Sequence, residues 1–309
     1  MKICYLIQTH KSIEQIYRLV KVIKTSSPQS YIYIIHSPTK FKLTQEEFSE
    51  FSNIQITNIA TQLGDFSLTQ GYFDCIEFLI KHNIDFDWLI NLSGQDYPTQ
   101  PLFKIEKFLQ NTSYDAFAEY FDALSLQNPW QIGLGRQRYF YHYWRASQEL
   151  TNWQKILIKP IKNLVNASPF KVKIETSYAL AIGKELKHTP FHQKYICYGG
   201  SYFVTLSKKC VMYLYEVFST NKYLIQHYQQ ASQAEESLIQ TILVNSDLFR
   251  ISNTNHRYID FKGSKYGHPR ILTIQDYDSL LNKEIHFARK FDIHQDPKIL
   301  DLLDKLICR

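Results

Sequence analysis

The first elements of the fold are predicted by residues 2–36, KICYLIQTHKSIEQIYRLVKVIKTSSPQSYIYIIH. Lys2–Ile7 is mostly apolar rather than alternating, which is typical of a strand buried on both faces. Apolar residues then recur at helical spacing through residues 13–23, and Tyr31–Ile35 repeats the buried-strand pattern. The stretch therefore predicts a strand, a helix and a second strand, which begins an α/β fold.

The same alternation continues to about residue 110. Ile54–Ile59 and Trp88–Leu92 have the pattern of buried strands, and Thr44–Phe51 that of a short helix. Ser67 and Gln70 have capping-box spacing, which predicts a helix with Ser67 as its N-cap. Four strand–helix units joined by short connections predict a Rossmann-like, mostly parallel sheet flanked by helices on both faces.

The pattern is less regular after residue 114. The aromatic run Tyr139–Trp144 fits an acceptor platform and a half-buried strand equally well. It is followed by a lysine-rich helical stretch at Trp153–Val165, and we interpret this region as an insertion on the acceptor side. Regular elements are then predicted as a strand at Ser201–Leu206 and helices at Lys208–Phe218 and Glu235–Val244.

Composition restricts the class of protein and its compartment. The 309 residues are 44% hydrophobic and carry a formal net charge of +6, which suits a partner with phosphate groups, either a nucleotide or a nucleic acid. No segment resembles a nucleic-acid-binding motif. Five scattered cysteines indicate reduced thiols. Without a signal peptide or an 18-residue apolar window, we expect a cytoplasmic protein that touches a membrane only peripherally, through a partner or its basic face.

Polar residues follow each predicted parallel strand, where ligands bind in such sheets. They are Gln8, Thr9 and His10; His36 and Ser37; Gly64, Asp65 and Ser67; and Ser93, Gly94, Gln95 and Asp96. We therefore predict a single domain over residues 1–309, with a nucleotide-binding half in residues 1–112 and an acceptor and catalytic half in residues 113–309.

Two acidic patterns and one basic segment could carry chemistry. Glu235 and Glu236 open a predicted helix, where either could be a general base or an ordinary cap, and periodicity does not choose between them. The Asp-x-Asp pairs at residues 85–87 and 276–278 fit turns and caps better than a metal site, the first because it precedes its strand. Fixed cations can replace a metal ion at a leaving diphosphate, and the candidates are Arg270, Arg289 and Lys290.

Six segments in register resemble one enzyme family. They are Tyr33–His36, Ile90–Pro98 (INLSGQDYP), Gly200–Val204 (GSYFV), Glu235–Ile242 (EESLIQTI), Arg257–Phe261 (RYIDF) and His268–Thr273 (HPRILT) leading into His286–Asp292 (HFARKFD). The family comprises the core-2/I-branching β-1,6-N-acetylglucosaminyltransferases and peptide O-xylosyltransferases, glycosyltransferase family 14. The resemblance runs in order from about residue 2 to residue 292.

The resemblance implies a GT-A-like fold, inversion at the anomeric carbon and no need for a metal or other cofactor. By position Glu236 matches the general base, with Glu235 in the less constrained preceding place. Arg270 and Lys290 match the diphosphate-binding residues, and Arg289 adjoins them. His36, Ser37, Asp65 and Ser67 lie where the nucleotide is held. Asp96, Gly200, Ser201, Tyr202, Glu235 and Asp260 would line the sugar or acceptor pocket.

The expected activity is transfer of N-acetylglucosamine or xylose from a UDP-sugar to a hydroxyl of a glycan, lipid-linked or polysaccharide precursor. The chain lacks the anchor and disulfides of the eukaryotic members and so resembles a compact bacterial relative. Phe261 stands where tryptophan often follows the aspartate, so acceptor stacking differs there. The alternative is a catalytically silent sugar- or nucleotide-binding module.

Overall fold

The strands predicted in the first 95 residues lie side by side in one sheet. The structure is a computed structural model that describes residues 1–62, 64–177, 179–263 and 268–308, apart from the side chains of residues 147–149. Its strands are β1 Ile3–Thr9, β2 Tyr31–His36, β3 Ile54–Asn58, β4 Trp88–Ser93, β5 Asp96–Pro98, β6 Ala116–Phe117, β7 Tyr120–Asp122, β8 Tyr141–Glu149, β9 Val172–Glu175, β10 Ala179–Glu185, β11 Tyr198–Gly200, β12 Thr205–Ser207, β13 Ile251–Ser252, β14 Arg257–Ile259 and β15 Phe287–Arg289.

Helices connect and cover these strands. They are α1 Ile13–Ser26, α2 Ser67–Lys81, α3 Leu102–Asn111, α4 Leu134–Tyr139, α5 Asn152–Ala167, α6 Lys208–Thr220, α7 Lys222–Gln229, α8 Leu238–Val244, α9 Tyr277–Leu280 and α10 Pro297–Ile307, with 3-10 turns at Glu46–Phe48, Ala234–Glu236 and Ile274–Asp276. No helix within the described ranges is long and apolar enough to cross a bilayer.

The main sheet has the strand order β13-β6-β12-β4-β1-β2-β3. The pairs β4–β1, β1–β2 and β2–β3 are parallel, whereas β12 runs antiparallel to both β4 and β6. A small sheet, β14-β15-β5, lies beside it, and β11 pairs with β7. The predicted α/β fold with a mostly parallel sheet flanked by helices is confirmed.

Alternation along the strands divides the apolar core between the two faces of the sheet. Cys4 and Leu6 of β1 belong to a core with residues of α2, α6 and α8. Ile3, Tyr5 and Ile7 belong to a second core with residues of α1, α3 and α10. Because successive side chains of a strand point to opposite faces, one buried strand contributes to both cores, as its apolar sequence predicts.

The irregular region after residue 114 forms its own small unit. Strands β8, β10 and β9 make an antiparallel sheet, and α5 packs along β9. Tyr141 and Tyr143 of β8 are buried, whereas Trp144 is exposed, so the half-buried strand predicted for this run is confirmed. The unit covers the region that we interpret from the sequence as an insertion on the acceptor side, and that interpretation stays a prediction.

Four local predictions are wrong, two of them in the N-terminal half. Ser67 is the first residue of α2 rather than its N-cap, because its backbone N–H and hydroxyl both donate to Asp65 Oδ1, at 2.8 and 2.6 Å. The helix predicted at Thr44–Phe51 is a single 3-10 turn at Glu46–Phe48. Its first residues do not join the helix, since the Thr44 N–H donates to the carboxylate of Glu47.

The other two errors involve side chains that compete with the backbone. The helix predicted at Glu235–Val244 breaks at Ser237, where φ is −148° and the hydroxyl donates to the Tyr198 carbonyl at 2.6 Å. The strand predicted at Ser201–Leu206 is confined to β12. Gln240 and Asn91 donate to the carbonyls of Ser201 and Tyr202, at 2.6 and 3.0 Å, and so occupy the groups that a strand ladder needs.

Candidate active site

The polar residues that follow β1, β2 and β4 meet at one edge of the main sheet. Backbone hydrogen bonds join their loops: the Ser37 N–H donates to the Thr9 carbonyl at 2.8 Å, and the Gly94 N–H donates to the Gln8 carbonyl at 3.0 Å. This edge is the carboxyl end of the parallel strands, where open α/β sheets bind ligands.

His36 and Ser37 form the floor of this edge. His36 is fully buried, its ring lies against Phe41, and its Nε2 is 2.9 Å from the Phe41 carbonyl. Its Nδ1 has no partner within the described residues, and burial lowers the pKa of the imidazole. Ser37 accepts a hydrogen bond from the Thr61 N–H at 3.1 Å. Both side chains thus hold the loop after β2, and Nδ1 of His36 retains hydrogen-bonding capacity.

The Asp65–Ser67 turn lies against the segment that carries the two glutamates. Gly64 has φ of +83°, which glycine adopts without strain, and its carbonyl accepts from the Gln233 N–H at 3.2 Å. Asp65 is close enough for its charge to contribute to the raised pKa of Glu235. Two predicted nucleotide-binding residues, Asp65 and Ser67, therefore belong to a turn that lies beside the segment carrying the two glutamates.

The 3-10 turn Ala234–Glu236 gives its two glutamates different surroundings. Glu235 is 8% exposed, and its Oε2 has no hydrogen-bond partner within the described residues. Burial, followed by the charge of Glu236, raises the pKa of Glu235 to about 8. The side chain of Glu236 is 34% exposed, and its Oε2 accepts from Arg138 Nη1 at 2.6 Å. The structure thus distinguishes a buried carboxyl from a solvent-accessible carboxylate, which periodicity could not do.

Arg138 is a site residue that the sequence analysis did not single out. It lies on α4 with a largely buried side chain, and its guanidinium is 4.5 Å from the centroid of the Trp130 ring. The only signal was its place in a segment that also contains Arg136 and Arg145, so nothing in the sequence distinguished it.

Basic side chains gather on the other side of this edge. Burial and then the charges of Lys11 and Arg289 lower the pKa of Lys290. Burial and then the charges of Lys11 and Lys290 lower the pKa of His10. Within the described ranges, no carboxylate lies within ion-pair distance of Lys11 or Lys290. The charge of Asp292 opposes the shift at Lys290 but does not reverse it. Like charges held close together favour an anion, and a diphosphate matches this cluster of His10, Lys11 and Lys290.

Arg289 and Asp96 pair inside the protein. They are opposite one another in β15 and β5, with Arg289 Nε 3.1 Å from Asp96 Oδ1. Asp96 is almost completely buried and also accepts from the Ser93 N–H at 2.6 Å. The Arg289 guanidinium lies 4.3 Å from the centroid of Phe203. Burial raises the pKa of Asp96, and the charge of Arg289 opposes that shift. The pair holds the loop after β4 in place.

Arg270 lies between two aspartates. Its Nε donates to Asp260 Oδ2 at 2.6 Å, its Nη1 donates to Asp276 Oδ2 at 2.9 Å, and its Nη2 also contacts Asp276. Asp276 forms a capping box with Thr273, as its position at a helix start predicts. Arg270 and Asp260 are therefore brought together, and two carboxylates offset the arginine's charge.

Gly200, Ser201 and Tyr202 approach the glutamates from β11. A Cβ atom at Gly200 would lie 1.9 Å from the Glu119 carbonyl oxygen, so the backbones pass too closely there for any side chain. The Tyr202 hydroxyl is buried without a partner within the described residues. Its pKa is raised well above the usual range by burial and then by the charge of Glu235. Tyr202 is thus a neighbour of the buried carboxyl.

The Asp-x-Asp pair at residues 85–87 lies at the opposite edge of the sheet, as the sequence predicts. Asp85 precedes β4 and is 3.1 Å from both Lys2 Nζ and Lys208 Nζ. In the part of the chain that the structure describes, no three His, Cys, Asp or Glu side chains are grouped so that they could hold a metal ion.

Comparisons with known proteins identify the family of this chain. Residues 3–285 match the family model of the Core-2/I-Branching enzymes. The β-glucuronosyltransferase GlcAT14A of Arabidopsis thaliana is 24% identical over 273 residues, which cover 85% of this chain and 52% of that protein. The mouse β-1,3-galactosyl-O-glycosyl-glycoprotein β-1,6-N-acetylglucosaminyltransferase 4 is 23% identical over 97% of this chain and 64% of its own length.

A xylosyltransferase of Ciona intestinalis is 30% identical over 35% of this chain and 13% of its own length. This chain spans about half the length of the Arabidopsis glucuronosyltransferases that it matches. The three relatives are named for three different sugars, so similarity to them does not select one donor.

Proposed function

This chain belongs to the Core-2/I-Branching enzyme family, glycosyltransferase family 14, and on that premise we propose that it is an inverting, UDP-sugar-dependent glycosyltransferase. The observation that carries the proposal is the solvent-accessible Glu236 carboxylate on the same edge of the sheet as the basic cluster His10, Lys11 and Lys290. An inverting transfer needs a base for the acceptor and a cationic site for the leaving diphosphate.

The proposed reaction is a single displacement. Glu236 accepts the proton of an acceptor hydroxyl, whose oxygen attacks the anomeric carbon opposite the phosphate. The bond from that carbon to the β-phosphate oxygen breaks, and UDP leaves with its electron pair. Lys290 and Lys11 stabilise the charge on the departing diphosphate. Arg138, which holds Oε2 of Glu236, would orient the carboxylate so that Oε1 faces the acceptor.

Metal independence belongs to the proposal and is supported by the acidic pairs. Asp85 lies at the far edge of the sheet between two lysines, and Asp276 is engaged by Arg270. Fixed cations would take the place of a divalent ion at the diphosphate. Arg270 keeps its proposed diphosphate role only if a phosphate competes with Asp260 or Asp276 for the guanidinium.

The donor and acceptor are also proposals. We expect UDP-N-acetylglucosamine or UDP-xylose, and the relatives add UDP-glucuronic acid. The acceptor would be a hydroxyl of a glycan, lipid-linked or polysaccharide precursor. Cytoplasmic localisation is supported by the cysteines, because all five lie within the described residues as free thiols.

The test measures binding of UDP-sugars and the effect of replacing Glu236, the proposed base. We expect one UDP-sugar to raise the melting temperature in EDTA, and Glu236→Gln to abolish transfer and keep UDP binding. Glu46→Gln, at an exposed glutamate, is the matched control and should keep both. Transfer by Glu236→Gln at the wild-type rate would exclude Glu236 as the base.

The silent binding module is supported by one observation. The ion pair with Arg138 occupies one oxygen of Glu236, and in a binding protein it would be only structural. That function predicts UDP-sugar binding, no release of UDP with any acceptor, and the same binding by Glu236→Gln.

A further inference from the structure

Helix α5 turns its apolar side chains toward solvent. Trp153, Leu157 and Leu164 are 61, 63 and 75% exposed, and no residue of the helix is buried. At 100° per residue these three positions lie within about 40° of one another on the helix surface. Ile156 and Ile161 are also exposed and flank them, so the apolar face extends for about three turns.

The polar side chains of α5 face the protein. Lys155 Nζ donates to the Ser177 carbonyl at 2.9 Å, and Lys162 Nζ donates to the Thr176 hydroxyl at 3.2 Å. Asn166 exchanges two hydrogen bonds with the backbone of Ile174 in β9. A surface helix normally buries its apolar face against the core, and α5 does the reverse. Its apolar face is therefore available for something outside the chain.

The adjoining sheet also exposes apolar side chains. Ile174, Ile182 and Trp144 are directly opposite one another across β9, β10 and β8, and directly opposite residues share a face of a sheet. Trp144 is 65% exposed and Phe170 is 74% exposed. We call α5 with Trp144, Phe170 and Ile182 the apolar face.

The charge around the apolar face has one dominant sign. Residues 150–190 contain seven lysines and two glutamates, with no aspartate or arginine. Both glutamates are engaged: Glu185 pairs with Arg136 and Lys171, and Glu175 lies 4.0 Å from Arg145. Of the seven lysines, Lys155, Lys162 and Lys173 donate to protein oxygens and Lys171 pairs with Glu185. The remaining three, Lys159, Lys184 and Lys187, are exposed. A tryptophan and leucine face in a segment with three such lysines matches a bilayer surface with anionic headgroups.

We propose that the apolar face docks this protein on a lipid bilayer that carries anionic headgroups. A second copy of the chain is a poorer occupant, because two-fold pairing through α5 would bring two lysine-rich surfaces together. The aliphatic side chains and the Trp153 ring would enter the headgroup boundary, while Lys159 at the edge of the face meets lipid phosphates. The docking requires neither transfer activity nor a particular donor.

Helix α5 lies near the candidate site. His268 has its pKa lowered by burial, then by Lys290, Lys11 and Arg289, and also by the charge of Lys155 on α5. The protein-facing side of α5, which carries Lys155, is therefore the side of the helix that is close to the basic cluster.

The experiment is vesicle co-sedimentation of the full chain, with phosphatidylcholine alone and with added phosphatidylglycerol. The variant is Trp153→Gln/Leu157→Gln/Leu164→Gln, and the matched control is Leu126→Gln/Ile132→Gln/Leu248→Gln, at equally exposed apolar residues elsewhere. We expect binding to the anionic vesicles that is weakened by salt. The α5 variant should lower the partition coefficient roughly 100-fold, and the control should stay within about twofold of wild type.

Two further measurements keep the proposal refutable. Quenching of wild-type tryptophan fluorescence by bromine-labelled lipid needs no variant and should occur only in anionic vesicles. UDP binding without vesicles should be the same for wild type and the α5 variant, so its loss in both would count against the proposed function and not against docking. No wild-type binding to anionic vesicles, equal binding by the α5 variant, or a dimer that only the α5 variant dissociates would each overturn the docking proposal.

Discussion

Replacing Glu235 by glutamine tests whether this carboxyl is held neutral by the fold. Glutamine has the shape of the protonated acid and cannot ionise. The side chain is almost completely buried, Glu236 is its neighbour, and burial followed by that charge raises its pKa to about 8 from an ordinary value of 4.5. Both the desolvation of Glu235 and the charge of Glu236 therefore oppose ionisation of Glu235 in the native state.

The sign of the effect follows from which state binds the proton more tightly. The native pKa is above the unfolded value, so between about pH 4.5 and pH 8 the native state holds more protons than the unfolded state. The stability that this proton gives is complete below about pH 4.5 and is lost as the pH rises to about 8. A shift of this size corresponds to about 5 kcal/mol when the loss is complete.

The assay is thermal unfolding of wild type and Glu235→Gln across pH, with exposed Glu46→Gln as the control. The free energy of unfolding of Glu235→Gln, relative to that of wild type, should rise by about 4 kcal/mol between about pH 5 and about pH 9. For a chain of this length that is a relative gain in melting temperature of roughly 6 °C. A difference between Glu235→Gln and wild type that does not change with pH would refute the argument.

Three further substitutions test separate parts of the site. Lys290→Ala should weaken UDP binding by about tenfold in calorimetry through loss of one charge-assisted contact, and unchanged affinity would remove Lys290 from the diphosphate site. Arg138→Met leaves the carboxylate of Glu236 without its partner. Because the burial of this pair is incomplete, the free energy of unfolding should fall by about 2 kcal/mol. Denaturant unfolding like that of wild type would show that the pair is not stabilising. Gly200→Ala places Cβ 1.9 Å from the Glu119 carbonyl oxygen and should destabilise by about 3 kcal/mol or more, whereas a loss below about 1 kcal/mol would mean that the backbones separate easily.

The elements that could be predicted from the sequence are those that neighbouring residues determine. Residues 2–36 contain a strand, a helix and a strand whose periodicity is set by burial, and their bounds agree with β1, α1 and β2 within about three residues. Ser67 and Ser237 were mispredicted because their hydroxyls bond to Asp65 and to the distant Tyr198 carbonyl. The spacing of residues in the sequence does not show when a side-chain hydroxyl competes with the backbone hydrogen bonds of a helix.

The site could be predicted only as far as residue types at strand ends allow. His10 and His36 follow parallel strands, so their meeting at one edge follows from topology. Arg138 lies 98 residues from Glu236 in the sequence, and only the packing of α4 against the 3-10 turn brings them together. The outward direction of the apolar face of α5 could not be predicted either. A helical pattern shows that one side of a helix is apolar, but it does not show whether that side faces the protein or the solvent.

The two glutamates show why position in the fold decides chemistry that sequence leaves open. Glu235 and Glu236 are adjacent and identical in type, yet one 3-10 turn directs the first into the core beside Tyr202 and the second toward Arg138 and solvent. A base must be ionised and reach its substrate, and of the two only Glu236 is both solvent-accessible and paired with a cation. Because Glu235 is held neutral, Glu236 has no second negative charge beside it. The assignment of Glu236 and the pH dependence of Glu235→Gln therefore rest on one arrangement, and a pH-independent difference for Glu235→Gln would weaken both.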